Sequence, residues 1–169
     1  MDTKLRRIAD KSAQEHRPIF TSLYHLLNED LLLRCHQELS ENKAVGIDQV
    51  TKEDYAANLK GNIESLVKRL KNKAYKPQPV KRVYIPKANG KKRPLGIAAY
   101  EDKIVQLGLK KILDAVYEPK FRENMYGFRP GRNCHMAVND MCASIIRKRI
   151  GIMEYELIFQ KSGGEKNEE

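Results

Sequence analysis

Pro77 and Pro79 end helical possibilities where they stand, the chain from Val80 to Ile97 then reads as extended, and Ala88-Asn89-Gly90 in its middle supplies a turn. The segment therefore reads as a β-hairpin, with Pro94 making its second arm an edge strand. Side-chain alternation ties the loop length to what the hairpin can do. A two-residue Asn89-Gly90 loop sends Lys87 and Arg93 to opposite faces. A three-residue Ala88-Asn89-Gly90 loop, with Gly90 left-handed, gathers Lys81, Val83, Ile85, Lys87, Lys91, Arg93, Leu95 and Ile97 on one face. That face has cations near its tip and aliphatic residues below, a pattern suited to a triphosphate at the tip and a base packed on the apolar part. The same residues suit a solvated hairpin whose basic edges deter aggregation, and the pattern leaves both readings open.

Charge narrows the partners. From Lys68 to Arg93 there are eleven Lys or Arg and no acidic residue, within a formal net charge of +10. A one-sign run makes a potential that attracts polyanions, nucleic acid first among them. An anionic membrane surface fits less well, because the run has no amphipathic helical face of bulky apolar residues. No stretch approaches the roughly 18 apolar residues of a membrane span, and Met1-Asp2-Thr3-Lys4 opens no signal region, so a soluble, cytoplasmic protein is expected. Cys35, Cys134 and Cys142 form no C-x-x-C pair, which points to reduced thiols with no metal site.

The rest of the chain is largely helical, giving an α+β expectation. Residues 1–18 are polar, close at Pro18 and read as a flexible basic arm. Residues 19–50 read as a helical segment, with a short helix at Leu23, Leu26 and Leu27 and a second capped by Asn28 that runs from Leu31 to Leu39. Asn42 to Val50 is a turn around Gly46. Thr51 and Asp54 stand at capping-box spacing, opening a third helix with the stripe Leu59, Ile63, Leu66, Val67 and Leu70, in which Gly61 costs about 1 kcal/mol against alanine. Ile104, Val105, Leu109, Ile112, Leu113 and Val116 form another helical stripe that Pro119 stops. Asn133 caps a last helix with the stripe Val138, Met141, Cys142, Ile145 and Ile146. Ile152 to Phe159 could be one strand, and residues 151–169 end in an acidic, divergent tail expected to be disordered.

Between the last two helices lies Met125-Tyr126-Gly127-Phe128-Arg129-Pro130-Gly131-Arg132. Rings interleaved with guanidinium groups suit single-stranded RNA, with Phe128 stacking on bases and Arg129 and Arg132 bridging phosphates. Aromatic residues in such a loop also commonly anchor it to a core.

Taken together, these segments resemble the bacterial group II intron reverse transcriptases in order and spacing. Lys43-Ala44-Val45-Gly46-Ile47-Asp48 resembles that family's N-terminal extension, and Tyr75-Lys76-Pro77-Gln78-Pro79 through Lys87 resembles the start of its fingers. Arg93-Pro94-Leu95-Gly96-Ile97 and Glu101-Asp102-Lys103-Ile104-Val105-Gln106 continue the match, and Tyr126 to Arg132 with Cys134-His135 resembles the entrance to the palm. Gln49 stands where the family usually has Gly, Ala98 where it has Pro, and Lys81 where many relatives have Arg.

The resemblance implies a right-hand polymerase architecture: a helical N-terminal extension, then fingers and palm entrance over residues 51–150. The fingers would hold the incoming dNTP through Lys87 and Arg93 and the template through Lys81, Leu95 and Ile97, with Arg82, Lys91, Lys92, Phe128, Arg129 and Arg132 on RNA. The implied partners are group II intron RNA, an RNA template, a DNA primer and dNTP. The implied metal is Mg2+ in the intact enzyme, held by palm aspartates. Neither the family's Asp-x-x-x-Phe-type segment nor its Tyr/Phe-x-Asp-Asp turn occurs in these 169 residues, so no catalytic or metal-binding residue is assigned. Glu154 and Glu156 fall near the first of those motifs and read as a solvent-facing alternation. The chain is thus expected to be an N-terminal part of an RNA-directed DNA polymerase, truncated before its catalytic motifs. The alternative is a non-catalytic RNA-binding remnant or splicing helper.

Overall fold

A computed structural model of the chain describes residues 3–41, 44–88 and 90–148. It is an α+β structure with six α-helices and one two-stranded antiparallel sheet among the described residues. The chain divides into two compact units, Met1–Lys120 and Phe121–Glu169. The boundaries expected near residues 18 and 50 therefore fall inside the first unit. The strand expected at Ile152–Phe159, the tail 151–169 and Glu154 and Glu156 lie outside the described residues.

The first unit opens with a correction. Residues Thr3–Gln14 form helix α1, where the sequence reads as a loose arm. The arm looked featureless because only Leu5 and Ser12 are buried on it. Ser12 is small enough to let the helix approach its neighbour, and its hydroxyl donates to the Val116 carbonyl at 2.6 Å. A 3-10 turn at Tyr24–Leu26 leads into α2, Glu29–Glu38, whose N-cap is Asn28 accepting from the Leu31 N–H at 2.9 Å. Lys52 closes the other end of α2, donating to the Leu39 carbonyl at 2.7 Å, where a cation also suits the helix dipole.

The third helix expected from Thr51 is two helices. The Thr51/Asp54 capping box forms as read and starts α3, Lys52–Ala56. The chain breaks at Asn58 and resumes as α4, Leu59–Lys71. Asn62 takes up a carbonyl freed by the break, donating to Tyr55 O at 3.0 Å. Gly61 makes the break possible: a Cβ there would lie 2.8 Å from Asn58 Oδ1. Ile63, Leu66, Val67 and Leu70 of α4 are buried.

After strands β1, Lys81–Pro86, and β2, Lys92–Ile97, comes the long helix α5, Tyr100–Tyr117. Its buried line is Ile104, Val105, Gly108, Ile112 and Ala115, while Leu109 and Leu113 of the expected stripe are exposed. The small Gly108 lets the Leu27 and Leu32 side chains approach the α5 backbone, so the closest contact falls beside the large residues. With Leu26 to Leu39, Tyr55, the α4 face and Tyr100, this line builds one core. In the second unit, Asn133 caps α6, Cys134–Lys148, accepting from Met136 N–H at 2.9 Å. Val138, Met141 and Ile145 of its stripe are exposed. Cys35 is buried and Cys134 and Cys142 are exposed, all three as free thiols.

Candidate nucleic-acid interface

The hairpin's register decides which residues can act together. Lys81 pairs with Ile97, Val83 with Leu95 and Ile85 with Arg93, which sets Lys87 opposite Lys91. The Lys87 N–H donates to Lys91 O at 2.6 Å, and the Gly90 N–H donates to Lys87 O at 3.0 Å. Gly90 has φ +76°, so the loop is the three-residue type closed by a left-handed glycine, with Asn89 itself outside the described residues. Directly opposed residues share a face. Lys87, Lys91 and Arg93 therefore stand together above Ile85, Val83 and Leu95, with Lys81 and Ile97 at the base. Arg82, Tyr84, Pro86, Lys92 and Pro94 occupy the other face.

Hydrogen-bonded and non-bonded pairs alternate along an antiparallel ladder. Starting from Lys87–Lys91, the non-bonded pairs are Pro86–Lys92, Tyr84–Pro94 and Arg82–Gly96. Both prolines thus stand where an N–H would face away from the partner strand, and neither removes a ladder bond. Two prolines in a short hairpin cost little here.

Among the described residues the strands are largely uncovered. Lys81, Arg82, Lys87, Lys91, Lys92 and Arg93 are all exposed, as are Tyr84 at 57% and Leu95 at 47%, while Ile85 and Ile97 are half-buried. Leu95 and Ile97 remain available beneath the cations, because neither is buried in the core. Among the described residues, the Lys81, Arg82, Lys87, Lys92 and Arg93 side chains make no hydrogen bond or ion pair. Lys87 and Arg93 are diagonal neighbours across the pair, about 7–8 Å apart at Cβ, within reach of one polyphosphate.

In the loop of the second unit, both guanidiniums have partners of their own. Arg129 donates to Arg122 O at 2.9 Å and Met125 O at 3.1 Å, with its guanidinium 5.4 Å from the Phe121 ring centroid. Arg132 donates to Glu123 O at 2.6 Å and lies 5.2 Å from the Tyr126 ring centroid. Tyr126 in turn donates to Asp140. Both guanidiniums thus brace their own loop through carbonyls and rings. Phe128 is fully exposed with φ +58°, a conformation that a bulky side chain adopts only under constraint.

Sequence reading passed over the residues that hold the hairpin's base. The first turn of α5 carries Glu101, which accepts from Arg69 Nη2 at 2.6 Å and Tyr55 Oη at 3.3 Å. Beside it, Asp102 is buried and accepts from Gln78 N–H at 2.9 Å and from the Tyr75 hydroxyl. Burial first, then the hydrogen bond to Asp102, pushes the Tyr75 phenol well above its usual range, so it remains a donor. The available signal was an acidic pair in a helix's first turn, which ordinarily means only a favourable dipole contact. Among the described residues no three His, Cys, Asp or Glu side chains converge as a metal site. No described helix is long and apolar enough to cross a membrane.

Fold and surface define a basic α+β chain that presents an uncovered cationic hairpin from a helical core. Over 136 residues, 79% of the chain, it is 38% identical to the group II intron-encoded protein LtrA of Lactococcus lactis subsp. cremoris, covering 23% of that protein. It is 36% identical over 119 residues to an uncharacterized 91 kDa protein in the cob intron of Schizosaccharomyces pombe, 69% of this chain and 14% of that one. Protein YkfC of Escherichia coli matches at 43% over 93 residues, 55% of this chain and 24% of its own length. No family model matches. The chain belongs to the family of group II intron-encoded proteins, the reverse transcriptase/maturase family that its motifs resemble. It spans less than a quarter of the length of each of these curated relatives.

Proposed function

We propose that this chain is the fingers and palm-entrance part of a group II intron RNA-directed DNA polymerase, with maturase-type binding of intron RNA. Lys87 and Arg93 hold the dNTP triphosphate, and Lys81, Leu95 and Ile97 line the template side. Arg82, Lys91 and Lys92 bind RNA phosphates, and Phe128 stacks on an unpaired base while Arg129 and Arg132 brace the loop that presents it. The observation that carries this reading is the register, which places Lys87 and Arg93 on one exposed face over an aliphatic strip with their charges otherwise unengaged. Opposite faces would have made a common phosphate site impossible. Mg2+ would serve the catalysis of the intact enzyme, held by palm aspartates.

For the 169-residue chain itself, the exposed basic face of the hairpin supports RNA binding. Titration of single-stranded RNA at several salt concentrations tests it. Log K should fall with log salt by roughly 0.7 per phosphate neutralised, and a Lys81→Ala/Arg82→Ala variant should flatten that slope. An unchanged slope would move the RNA surface off the hairpin.

A further inference from the structure

Among the described residues, the two-stranded hairpin is largely uncovered and takes its direction from the two legs that join it to the core. One helical turn holds both legs. The entering leg is Tyr75 to Val80, and Asp102 grips it twice, through the Tyr75 hydroxyl and the Gln78 N–H. Pro77 and Pro79 flank the gripped residue, so the leg is stiff and an anchor at Gln78 is transmitted to Lys81. The leaving leg, Ile97 to Ala99, runs directly into α5. There Asp48 Oδ2 accepts from Tyr100 N–H at 2.9 Å, and Lys103 Nζ donates to Ala44 O at 2.6 Å. Gly46 presses so closely on this leg that a Cβ would lie 2.6 Å from Ala98 O and from Ala99 Cα.

We propose that Asp102 is a positioning residue: its carboxylate, acting through Gln78 and Tyr75, sets the angle at which the hairpin presents its cationic face. A buried carboxylate is expensive unless its oxygens are satisfied. Asp102 has no ion-pair partner among the described residues; a main-chain N–H and a phenol satisfy it, and both lie on this one leg. The lever is long. At about 3.3 Å per residue the loop stands roughly 25 Å from the base, so a 10° swing would move it by about 4 Å. That displacement exceeds a hydrogen bond and would take Lys87 and Arg93 off their phosphates. The functional consequence rests on reading the hairpin as the nucleic-acid surface, whereas the positional claim rests on the leg geometry alone.

The test is a spin-label distance on the full chain. Labels are placed at Lys92→Cys beside the loop and Ser65→Cys on the exposed side of α4, in a Cys134→Ser/Cys142→Ser background. Gln78→Pro removes the N–H that Asp102 accepts, in a leg already flanked by prolines. Asp102→Ala removes both contacts, and Asp102→Asn restores an acceptor for Gln78. The expected result is a narrow distance distribution that broadens or shifts by several ångströms in Gln78→Pro and Asp102→Ala and returns in Asp102→Asn. RNA affinity should fall several-fold in the same variants. An unchanged distribution in folded Gln78→Pro overturns the proposal, whether or not Asp102→Ala folds. Displaced labels with RNA binding indifferent to both Gln78→Pro and Lys81→Ala/Arg82→Ala would uphold the positioning role and sink the hairpin's RNA role instead.

Discussion

At the scale of single residues, close approach and burial matter more than residue class. Gly46 reads as an ordinary turn glycine, yet the backbone of Ala98 and Ala99 occupies the space its Cβ would need. Main-chain atoms cannot swing aside as a side-chain end can, so Gly46→Ala should destabilise the fold by about 2–3 kcal/mol, read as a lower urea midpoint at constant slope. His36 gives a second expectation. It is buried, with Nδ1 3.0 Å from the Tyr100 hydroxyl, and burial followed by the charge of Lys52 holds its pKa below the usual 6.5. Because the unfolded chain takes up this proton first, the contribution is complete above the unfolded pKa. It is lost as pH falls toward and through the folded value. Urea unfolding at pH 7.5 and 5.5 should show lower stability at the lower pH, and His36→Gln should shrink the difference. An equal loss in the variant would place the sensitive group elsewhere.

Among the elements, the hairpin was the most legible in the sequence, since its period of two, its turn glycine and its prolines are all local signals. Its face assignment makes a specific expectation. Lys87→Ala and Arg93→Ala should each weaken crosslinking of a photoreactive dNTP, whereas Lys92→Ala, on the opposite face, should leave it near wild type. Equal effects from all three would mean diffuse electrostatic attraction in place of a site. The helices were less legible. A stripe of large apolar residues located α4 correctly, but on α5 it pointed toward Leu109 and Leu113, because reading by size overlooks Gly108 and Ala115, where smallness permits contact. The split between α3 and α4 was hidden too, since it depends on where the Asn62 amide finds a partner and on the room that Gly61 leaves for the Asn58 side chain.

For the molecule as a whole, the apolar stripe of α6 is exposed at Val138, Met141 and Ile145 among the described residues. No Tyr/Phe-x-Asp-Asp turn occurs in the 169 residues. The purified chain should therefore fail to extend a primer on an RNA template with any divalent metal. Labelled dNTP incorporation that is abolished by Lys87→Ala would contradict this.

What the sequence determined by itself was whatever depends on neighbours along the chain: the Asn28, Thr51 and Asn133 caps, the hairpin with its turn at Ala88-Asn89-Gly90, the acid-free basic run and the family motifs. What only the tertiary structure decided depends on partners far away along the chain. α1 is a helix packed through Ser12 on Val116, Asp48 caps α5 from 52 residues upstream, and Asp102 holds the leg of a hairpin that precedes it. Periodicity and capping are written within a few residues of where they act. A buried carboxylate's choice of donor is made only when distant segments compete to satisfy it in a space from which water has been expelled.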